Sequence, residues 1–253
     1  MIRSARKRHW SRWLYRVQWT LLAIIALAVA AVRLGLLHYL TAFEVFKYAG
    51  LAAVAVALAS ILVFIWGLVK RHPEARSAAL WATILGAIPV AIPLFTVGEH
   101  NFRAPPIHDI STDLKNPPAF EAVLSLRGPG DNRADYAGDA VASQQRNSPL
   151  YEDIQPLLLN MTVAEATELA ASVAEELGWR VVAKSPNKGR LEAVARTPVL
   201  GFTEDVVVRV KKEGQGVTVD IRSASRSRAA DFGSNGQRIR TFLKEMTSRA
   251  EGR

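Results

Sequence analysis

Three long apolar stretches fill most of the amino-terminal part of the chain. They cover residues 19–40, 48–69 and 77–97, and each contains 21 or 22 residues. A helix of this length is about 32 Å long, which is enough to cross the hydrocarbon core of a bilayer. The pattern therefore predicts three transmembrane helices.

Few polar residues interrupt these stretches. Arg33 and His38 are the ionisable residues inside the first one, and the third contains Pro89 and Pro93. Arg33 is close enough to the outer end for its long side chain to reach the membrane interface. We expect the two prolines to kink their helix. Because the spans carry no series of buried acidic residues, the sequence does not indicate a self-contained transporter.

The hydrophobic pattern changes after residue 97. Residues 98–150 hold six of the twelve prolines and show little sustained periodicity. Such a composition is typical of an extended linker that wraps over the next domain or stays partly mobile. We therefore divide the chain into a basic tail with three spans (1–97), a linker (98–150) and a soluble domain (151–253).

The soluble domain shows a helix, then several short strands, then a second helix. Thr162 and Glu165 have the spacing of a capping box, and apolar residues recur at helical intervals until Gly178. A last helix is predicted from about Ser234 to Arg249. Strand-like runs with hairpin spacers lie between the helices, at residues 179–184, 190–197, 204–211 and 217–223. These elements predict an α+β domain of two layers, with a four-stranded antiparallel sheet and two helices.

The charge is distributed unevenly between the two parts of the chain. Residues 1–97 hold eleven Lys and Arg residues against two acidic residues, which accounts for the net charge of +9. Residues 98–253 hold 21 Lys and Arg residues and 21 acidic residues, so their net charge is zero. A neutral domain lacks the positive field that attracts phosphate backbones, which argues against nucleic acid as the partner. The absence of cysteine excludes thiolate chemistry, and no motif indicates a metal site or a cofactor.

The basic residues also predict how the chain is oriented. They crowd the amino-terminal tail and, as Lys70, Arg71 and Arg76, the second loop, whereas the first loop carries only Lys47. Loops that are rich in Lys and Arg remain on the cytoplasmic side of the membrane. We therefore expect a multi-pass protein of the bacterial inner membrane, with a cytoplasmic amino terminus and a periplasmic carboxyl-terminal domain. If residues 28–30 were instead the cleavage site of a signal peptide, the soluble domain would still lie outside.

Several motifs follow one another along the chain, at residues 105–113, 151–154, 201–206, 220–226, 231–235 and 238–239. Together they resemble the bacterial and plastid family that carries a domain of unknown function 1499. The resemblance extends from residue 105 to about residue 243, and it implies membership of the family but no activity.

A cluster of basic and hydroxyl residues suggests a binding site near the last helix. If residues 222–228 are extended, the arginines at 222, 226 and 228 share one face and the serines at 223, 225 and 227 share the other. The segment then reaches the amino terminus of a helix, where free N–H groups favour an anion such as phosphate, sulfate or carboxylate. The candidate residues are Arg222, Ser223, Ser225, Arg226, Asp231, Ser234, Asn235 and Arg238.

An alternative reading gives these arginines a structural role. Arg222, Arg226 and Arg238 could pair internally with Asp220, Asp231 and Glu192, and Glu204 and Asp205 could pair with arginines of the same sheet. The sequence leaves both readings open.

His108 is the other candidate for chemistry, because acidic residues surround it. His108, Asp109, Asp113 and the more distant Asp205 form a candidate set for a hydrolase, although no known nucleophile motif is present. An enzyme would be favoured if His108 lay within hydrogen-bond reach of Arg222, Asp231 or Asp205 at the base of a pocket, and it would be excluded if His108 were exposed on the linker. We expect a membrane-anchored binding or assembly module of the cell envelope that recognises an anionic group or an acidic partner protein, with an envelope hydrolase as the alternative.

Overall fold

The computed structural model describes residues 10–97, 104–227 and 231–252. The chain forms two compact units, Met1–Gly98 and Glu99–Arg253. Most of the basic tail, His100 and Arg228 lie outside the described residues.

The amino-terminal unit is a bundle of three helices: α1 (Arg12–Arg33), α2 (Tyr39–Val69) and α3 (Pro73–Val97). All three are long and apolar enough to cross a membrane, as predicted. The first helix ends earlier than expected, because Gly35 takes a left-handed conformation (φ 71°) and turns the chain. His38 then caps α2 by accepting the Leu40 N–H at Nδ1 (3.4 Å). Arg33 is therefore the last residue of α1, and His38 lies just before α2.

The helices of the bundle approach each other closely at Gly86 of α3. A Cβ on this glycine would lie 2.3 Å from Gln18 Nε2 and 2.6 Å from Ala57 Cβ. The buried Gln18 side chain donates to the carbonyl oxygen of Ala53 at 2.8 Å and thereby joins α1 to α2. Small residues thus allow the backbones to meet, as is common among transmembrane helices. The helix α3 continues through Pro89 and Pro93.

The carboxyl-terminal unit is an α+β domain, as predicted, but the prediction of four strands is wrong. Its sheet has six strands: β1 (Asp109–Ser111), β2 (Leu157–Leu159), β3 (Arg180–Ser185), β4 (Arg190–Arg196), β5 (Thr203–Glu213) and β6 (Gly216–Ser225). The last four form an antiparallel meander, and β1 and β2 both pair with the outer edge of β6. The additional strands have three residues each, which is too short to produce a clear alternating pattern.

Different parts of the chain cover the two faces of this sheet. The helices α5 (Val163–Glu176) and α6 (Ser234–Glu251) pack on one face and enclose the main core. A loop segment packs on the other face, where Phe120 and Val123 contact Val194 and Val207. That segment and the short helix α4 (Asp139–Arg146) belong to the stretch predicted as a linker. It therefore contributes a strand, a helix and a cover for the sheet.

Helix caps and the helical spacing of apolar residues explain why α5 and α6 form. The capping box at the start of α5 is confirmed: Thr162 Oγ1 accepts the Glu165 N–H at 3.2 Å, and Glu165 Oε2 accepts the Thr162 N–H at 2.8 Å. In α6, Ile239, Phe242 and Met246 recur at helical spacing and are fully buried.

Candidate functional site

The strand β6 divides the predicted site residues between the two faces of the sheet. Arg222 lies over the ring of Phe120, with 4.6 Å between the guanidinium carbon and the ring centre. Ser223, the next residue, points the opposite way and donates to Asn235 Oδ1 of α6 at 2.6 Å. The predicted alternation of side chains between the two faces is thus present in the described part of residues 222–228. Because of this alternation, the sheet separates Arg222 and Arg226 from Ser234 and Asn235.

Arg222 is engaged entirely within the protein. Its Nε and Nη2 atoms donate to the two carboxylate oxygens of Asp109 at 2.8 and 2.6 Å. The same guanidinium donates to the carbonyl oxygens of Pro118 (3.1 Å) and Ala134 (2.8 Å). The residue is only 2% exposed. A charge this deeply buried needs its partners to remain in place, so Arg222 holds the fold together.

Arg226 is engaged in the same way. It donates from Nε and Nη2 to Asp205, at 3.1 and 2.7 Å, and Arg127 donates to the same carboxylate at 2.6 Å. Asp205 is fully buried. The expectation that Asp205 pairs with an arginine of the sheet is confirmed.

The remaining partners differ from those expected. Asp220 pairs with Arg209 at 2.7 Å rather than with Arg222, and Arg209 also contacts Asp113 at 3.0 Å. Although burial opposes it, the N–H groups of Asn116 and Lys115 and the Arg209 guanidinium hold the pKa of Asp113 below its ordinary value. Asp109 and Asp113 are therefore partners of arginines rather than neighbours of a catalytic imidazole.

A second polar group lies on the helix side of the sheet, and we call it the α6 cluster. It is centred on Asn235, which is fully buried. The Asn235 amide donates to Ser225 Oγ at 2.8 Å and to Asp231 Oδ1 at 2.9 Å. Its oxygen accepts from Ser223 and from Arg238, the latter at 3.0 Å. The cluster comprises Glu204, Ser223, Ser225, Asp231, Ser234, Asn235 and Arg238.

Two carboxylates of the chain take the places that an anionic ligand was predicted to occupy. Asp231 Oδ1 accepts the Asn235 N–H at 3.2 Å, at the amino terminus of α6. Glu204 forms an ion pair with Arg238, and burial lowers the pKa of that arginine to about 10. The helix dipole and the arginine thus already face internal negative charge. The binding of an external anion by these residues stays a prediction.

The Ser234 hydroxyl lies between two carboxyl groups of the cluster. Its oxygen is 2.6 Å from Asp231 Oδ1 and 2.7 Å from Glu204 Oε1. Burial raises the pKa of Asp231, whereas Glu204 has Arg238 as its counter-ion.

Three buried side-chain atoms have no hydrogen-bond partner in the described part of the chain: Asp231 Oδ2, His108 Nδ1 and Tyr151 Oη. Burial raises the pKa of Asp231, and the charge of His108 lowers it by a smaller amount. Burial, together with the charge of Asp231, raises the pKa of Tyr151. Buried polar atoms are nearly always hydrogen-bonded, so these three side chains are candidates for contact with a ligand.

Tyr151 is fixed against α6 and was not among the predicted site residues. It is 3% exposed, and a Cβ on Gly236 would lie 2.7 Å from its Cε1 atom. Arg240 of α6 donates to both oxygens of Asp153, at 2.6 and 2.9 Å, and so holds the segment that carries the tyrosine. In the sequence, Tyr151 is distinguished only by its place in the motif at residues 151–154.

The sequence profile of a known family, described as a protein of unknown function (DUF1499), matches residues 109–246. The chain belongs to this family. The matched region begins with β1 and includes Arg222, Asp205 and the whole α6 cluster. The DUF1499 domain thus starts within the stretch predicted as a linker. A comparison with curated proteins found no match.

His108 lies immediately before the DUF1499 match and is half-buried. Its carbonyl oxygen accepts the Ser225 N–H at 2.8 Å and the Asn235 amide at 3.2 Å. The hydroxyls of Ser225 and Ser234 contact carboxylates, and no hydrogen bond joins either to the imidazole within the described ranges. Those ranges also hold no group of three His, Asp or Glu residues that could bind a metal ion.

Proposed function

We propose that this DUF1499 protein is a multi-pass protein of the bacterial inner membrane that displays its carboxyl-terminal domain in the periplasm. The amino terminus lies in the cytoplasm, and the displayed domain acts as a binding module of the cell envelope. Nucleic acid is not its partner, since residues 98–253 are neutral.

The distribution of charge around the three helices supports this orientation. The turn between α2 and α3 carries Lys70 and Arg71, and Arg76 follows in the first turns of α3. The opposite end carries Arg33 at the end of α1, and the charge of Lys47 there is offset by Glu44, which lies 2.5 Å away. Positive charge therefore concentrates at one end of the bundle, and such ends remain in the cytoplasm.

The unpartnered atoms around Asp231 carry the proposal that the domain binds a ligand. Arg222 and Arg226 have internal partners and lie on the other face of the sheet, so they are not the binding groups. Asp231, Tyr151 and His108 instead each carry a buried polar atom that has no hydrogen-bond partner among the described residues. We therefore move the proposed binding region from the arginines to the α6 cluster.

A hydrolase that uses His108 with a distant acid is the second candidate, and the effect of the His108 charge on the pKa of the buried Asp231 favours it. An imidazole next to a buried carboxylate could act as a general base on a bound water molecule. The purified protein is tested for turnover of a chromogenic ester. Turnover that is lost in His108→Gln and retained in Tyr136→Phe would establish this activity. Equal background hydrolysis by all three proteins would exclude it for esters.

Reporter fusions test the proposed orientation. Alkaline phosphatase fused after residue 74 should be inactive, and the same enzyme fused after residue 110 should be active, because it folds only outside the cytoplasm. A fluorescent protein that folds only in the cytoplasm should give the opposite pattern. Activity of both phosphatase fusions, or of neither, would contradict the proposal.

A further inference from the structure

Basic side chains gather at the end of the helix bundle where α1 begins and where α2 turns into α3, and we call this the basic end. Residues 10–18 and 70–76 contain five Lys and Arg residues and one acidic residue, Glu74. The sequence before residue 10 adds four more basic residues. The five are Arg12, Arg16, Lys70, Arg71 and Arg76, of which the first four are exposed.

Aromatic contacts bring the two parts of the basic end together. The ring centres of Trp10 and Trp66 are 6.3 Å apart, and Trp66 stacks on His72 with 5.2 Å between the ring centres. Trp10 precedes Arg12 by two residues, and His72 directly follows Arg71. The basic residues of α1 and those of the turn between α2 and α3 therefore belong to one surface.

Exposed tryptophans indicate the level of this surface in a bilayer. Trp10, Trp13 and Trp66 are exposed at the same end of helices that are long and apolar enough to cross a membrane. Tryptophan is enriched at the level of the lipid headgroups, because its ring is apolar and its N–H requires a polar partner. The basic side chains beside these rings are then at the level of the headgroup phosphates.

The backbone at Arg71 indicates that its side chain has a role outside the fold. The N–H groups of His72 and Arg71 donate to the carbonyl oxygens of Gly67 (2.9 Å) and Leu68 (3.2 Å), which is the pattern of a Schellman motif at the end of α2. Glycine is favoured at the left-handed position of this motif, yet the position holds Arg71 (φ 56°). Since Lys70 already places a positive charge at this end of α2, the helix dipole alone does not require the arginine. An external anionic partner would explain its presence.

We propose that the basic end binds anionic phospholipids, with Arg12, Lys70 and Arg71 among the groups that face the headgroup phosphates. Phosphatidylglycerol carries one net negative charge, whereas the phosphate of phosphatidylcholine is balanced by the quaternary ammonium group of the same headgroup. Lys and Arg residues next to a membrane surface attract anionic lipids. The proposal goes beyond the binding role of the soluble domain and does not depend on it, or on which side of the membrane the basic end lies.

Native mass spectrometry of the full-length protein tests the proposal. The protein is incubated in a mild detergent with equal amounts of phosphatidylglycerol and phosphatidylcholine, and the lipids that remain bound are counted. We expect phosphatidylglycerol to be retained in an excess of at least about fivefold. Concentrated salt during the incubation should reduce this excess, because it screens the charges of exposed side chains.

Two substitutions locate the surface. Lys70→Gln removes one positive charge and should lower the phosphatidylglycerol excess by about threefold to fivefold. Arg71→Gly should lower it by a similar factor without lowering the thermal midpoint in phosphatidylcholine nanodiscs, because glycine adopts the left-handed conformation more easily. The control is Arg33→Gln, which removes a positive charge at the opposite end of α1 and should retain the wild-type excess.

A further arm separates the lipid from the free ion. Inorganic phosphate should reduce the phosphatidylglycerol excess no more than chloride does at the same ionic strength, because only the lipid also contacts the apolar surface beside the tryptophans. A stronger effect of phosphate would mean that the basic end binds the ion and not the lipid.

Equal retention of the two lipids would overturn the proposal, as would a wild-type excess in both Lys70→Gln and Arg71→Gly. A loss in Arg33→Gln as large as that in Lys70→Gln would also contradict it, because the position of the charge would then not matter. None of these results would affect the proposed orientation of the protein, which the reporter fusions test separately.

Discussion

Arg222 and Asp109 face each other through two parallel hydrogen bonds, of 2.8 and 2.6 Å, across the pairing of β6 with β1. Asp109 itself pairs with Ala224 in the ladder, so the side-chain bridge reinforces the short β1 strand at its first residue. The pair joins the start of the DUF1499 domain to the strand that contributes to both faces of the site. The first prediction follows from this relationship.

Arg222→Gln should destabilise the soluble domain severely. The substitution leaves Asp109 buried without its counter-ion and removes donors from the carbonyl groups of Pro118 and Ala134, a loss of about 3–5 kcal/mol. Chemical denaturation of the full-length protein measures this loss of stability. Arg133→Gln is the matched control, because Arg133 and Asp135 form an exposed pair and should contribute almost nothing. A stable Arg222→Gln protein would mean that the arginine serves a ligand and not the fold.

Gly236→Ala should lower stability although alanine is the better helix former. Its Cβ would lie 2.7 and 3.1 Å from two ring carbons of Tyr151, which Arg240 and its partners hold in place. Such overpacking costs about 1–3 kcal/mol, more than the gain in helix propensity of about 1 kcal/mol. Gly130→Ala, where a Cβ meets nothing within 4 Å, is the control for thermal denaturation. Equal midpoints for the two variants would contradict the packing of Tyr151 on α6.

Asp231→Asn should change how the stability of the soluble domain depends on pH. The raised pKa of Asp231 means that the folded protein holds this proton more tightly than the unfolded chain does. The stabilisation is complete below the unfolded pKa and is lost as the pH rises through the folded value. Glu204, Arg238, His108 and Tyr151 are the ionisable groups that face it, and they remain unchanged.

The variant should therefore gain stability relative to the wild type between pH 4 and pH 7. Thermal midpoints of both proteins at the two pH values measure this difference. A constant offset between wild type and variant would show that Asp231 has an ordinary pKa.

Gly86→Ala should disrupt the helix bundle, because no space exists for a methyl group between Gln18, Ala57 and the Ala53 carbonyl oxygen (2.3, 2.6 and 2.7 Å from the added carbon). The expected loss is about 1–3 kcal/mol, measured by titrating the detergent-solubilised protein with SDS. Gly50→Ala is the control in the same bundle, since its Cβ would make an ordinary contact with Pro89 at 3.5 Å. If both variants tolerated SDS equally, the close approach at Gly86 would be disproved.

The sequence predicts the elements whose stabilising interactions are local. The capping box joins Thr162 to Glu165 across three residues, and the alternation in β6 repeats every second residue. Both can be recognised from a short window of sequence. The three membrane helices follow from length and apolarity alone.

The features that the sequence does not predict depend on contacts between distant residues. The strand β1 exists because it pairs with β6, and Asp109 is 113 residues from Arg222. The expected partner of Arg222, Asp220, is near in sequence and on the same strand face, but Arg209 lies across from it on β5. Tyr151 joins the α6 cluster only because its segment folds against α6. Local patterns carry no information on such pairings.

The central claim is that the membrane helices hold the DUF1499 domain outside the cytoplasm, and cysteine labelling tests it most directly. The chain has no cysteine, so single substitutions can be labelled without background. His72→Cys lies in the turn between α2 and α3, and Lys212→Cys lies on the exposed end of β5. In intact cells, a membrane-impermeant maleimide should label Lys212→Cys and should label His72→Cys only after lysis. Labelling of His72→Cys in intact cells, with Lys212→Cys protected until lysis, would contradict the account.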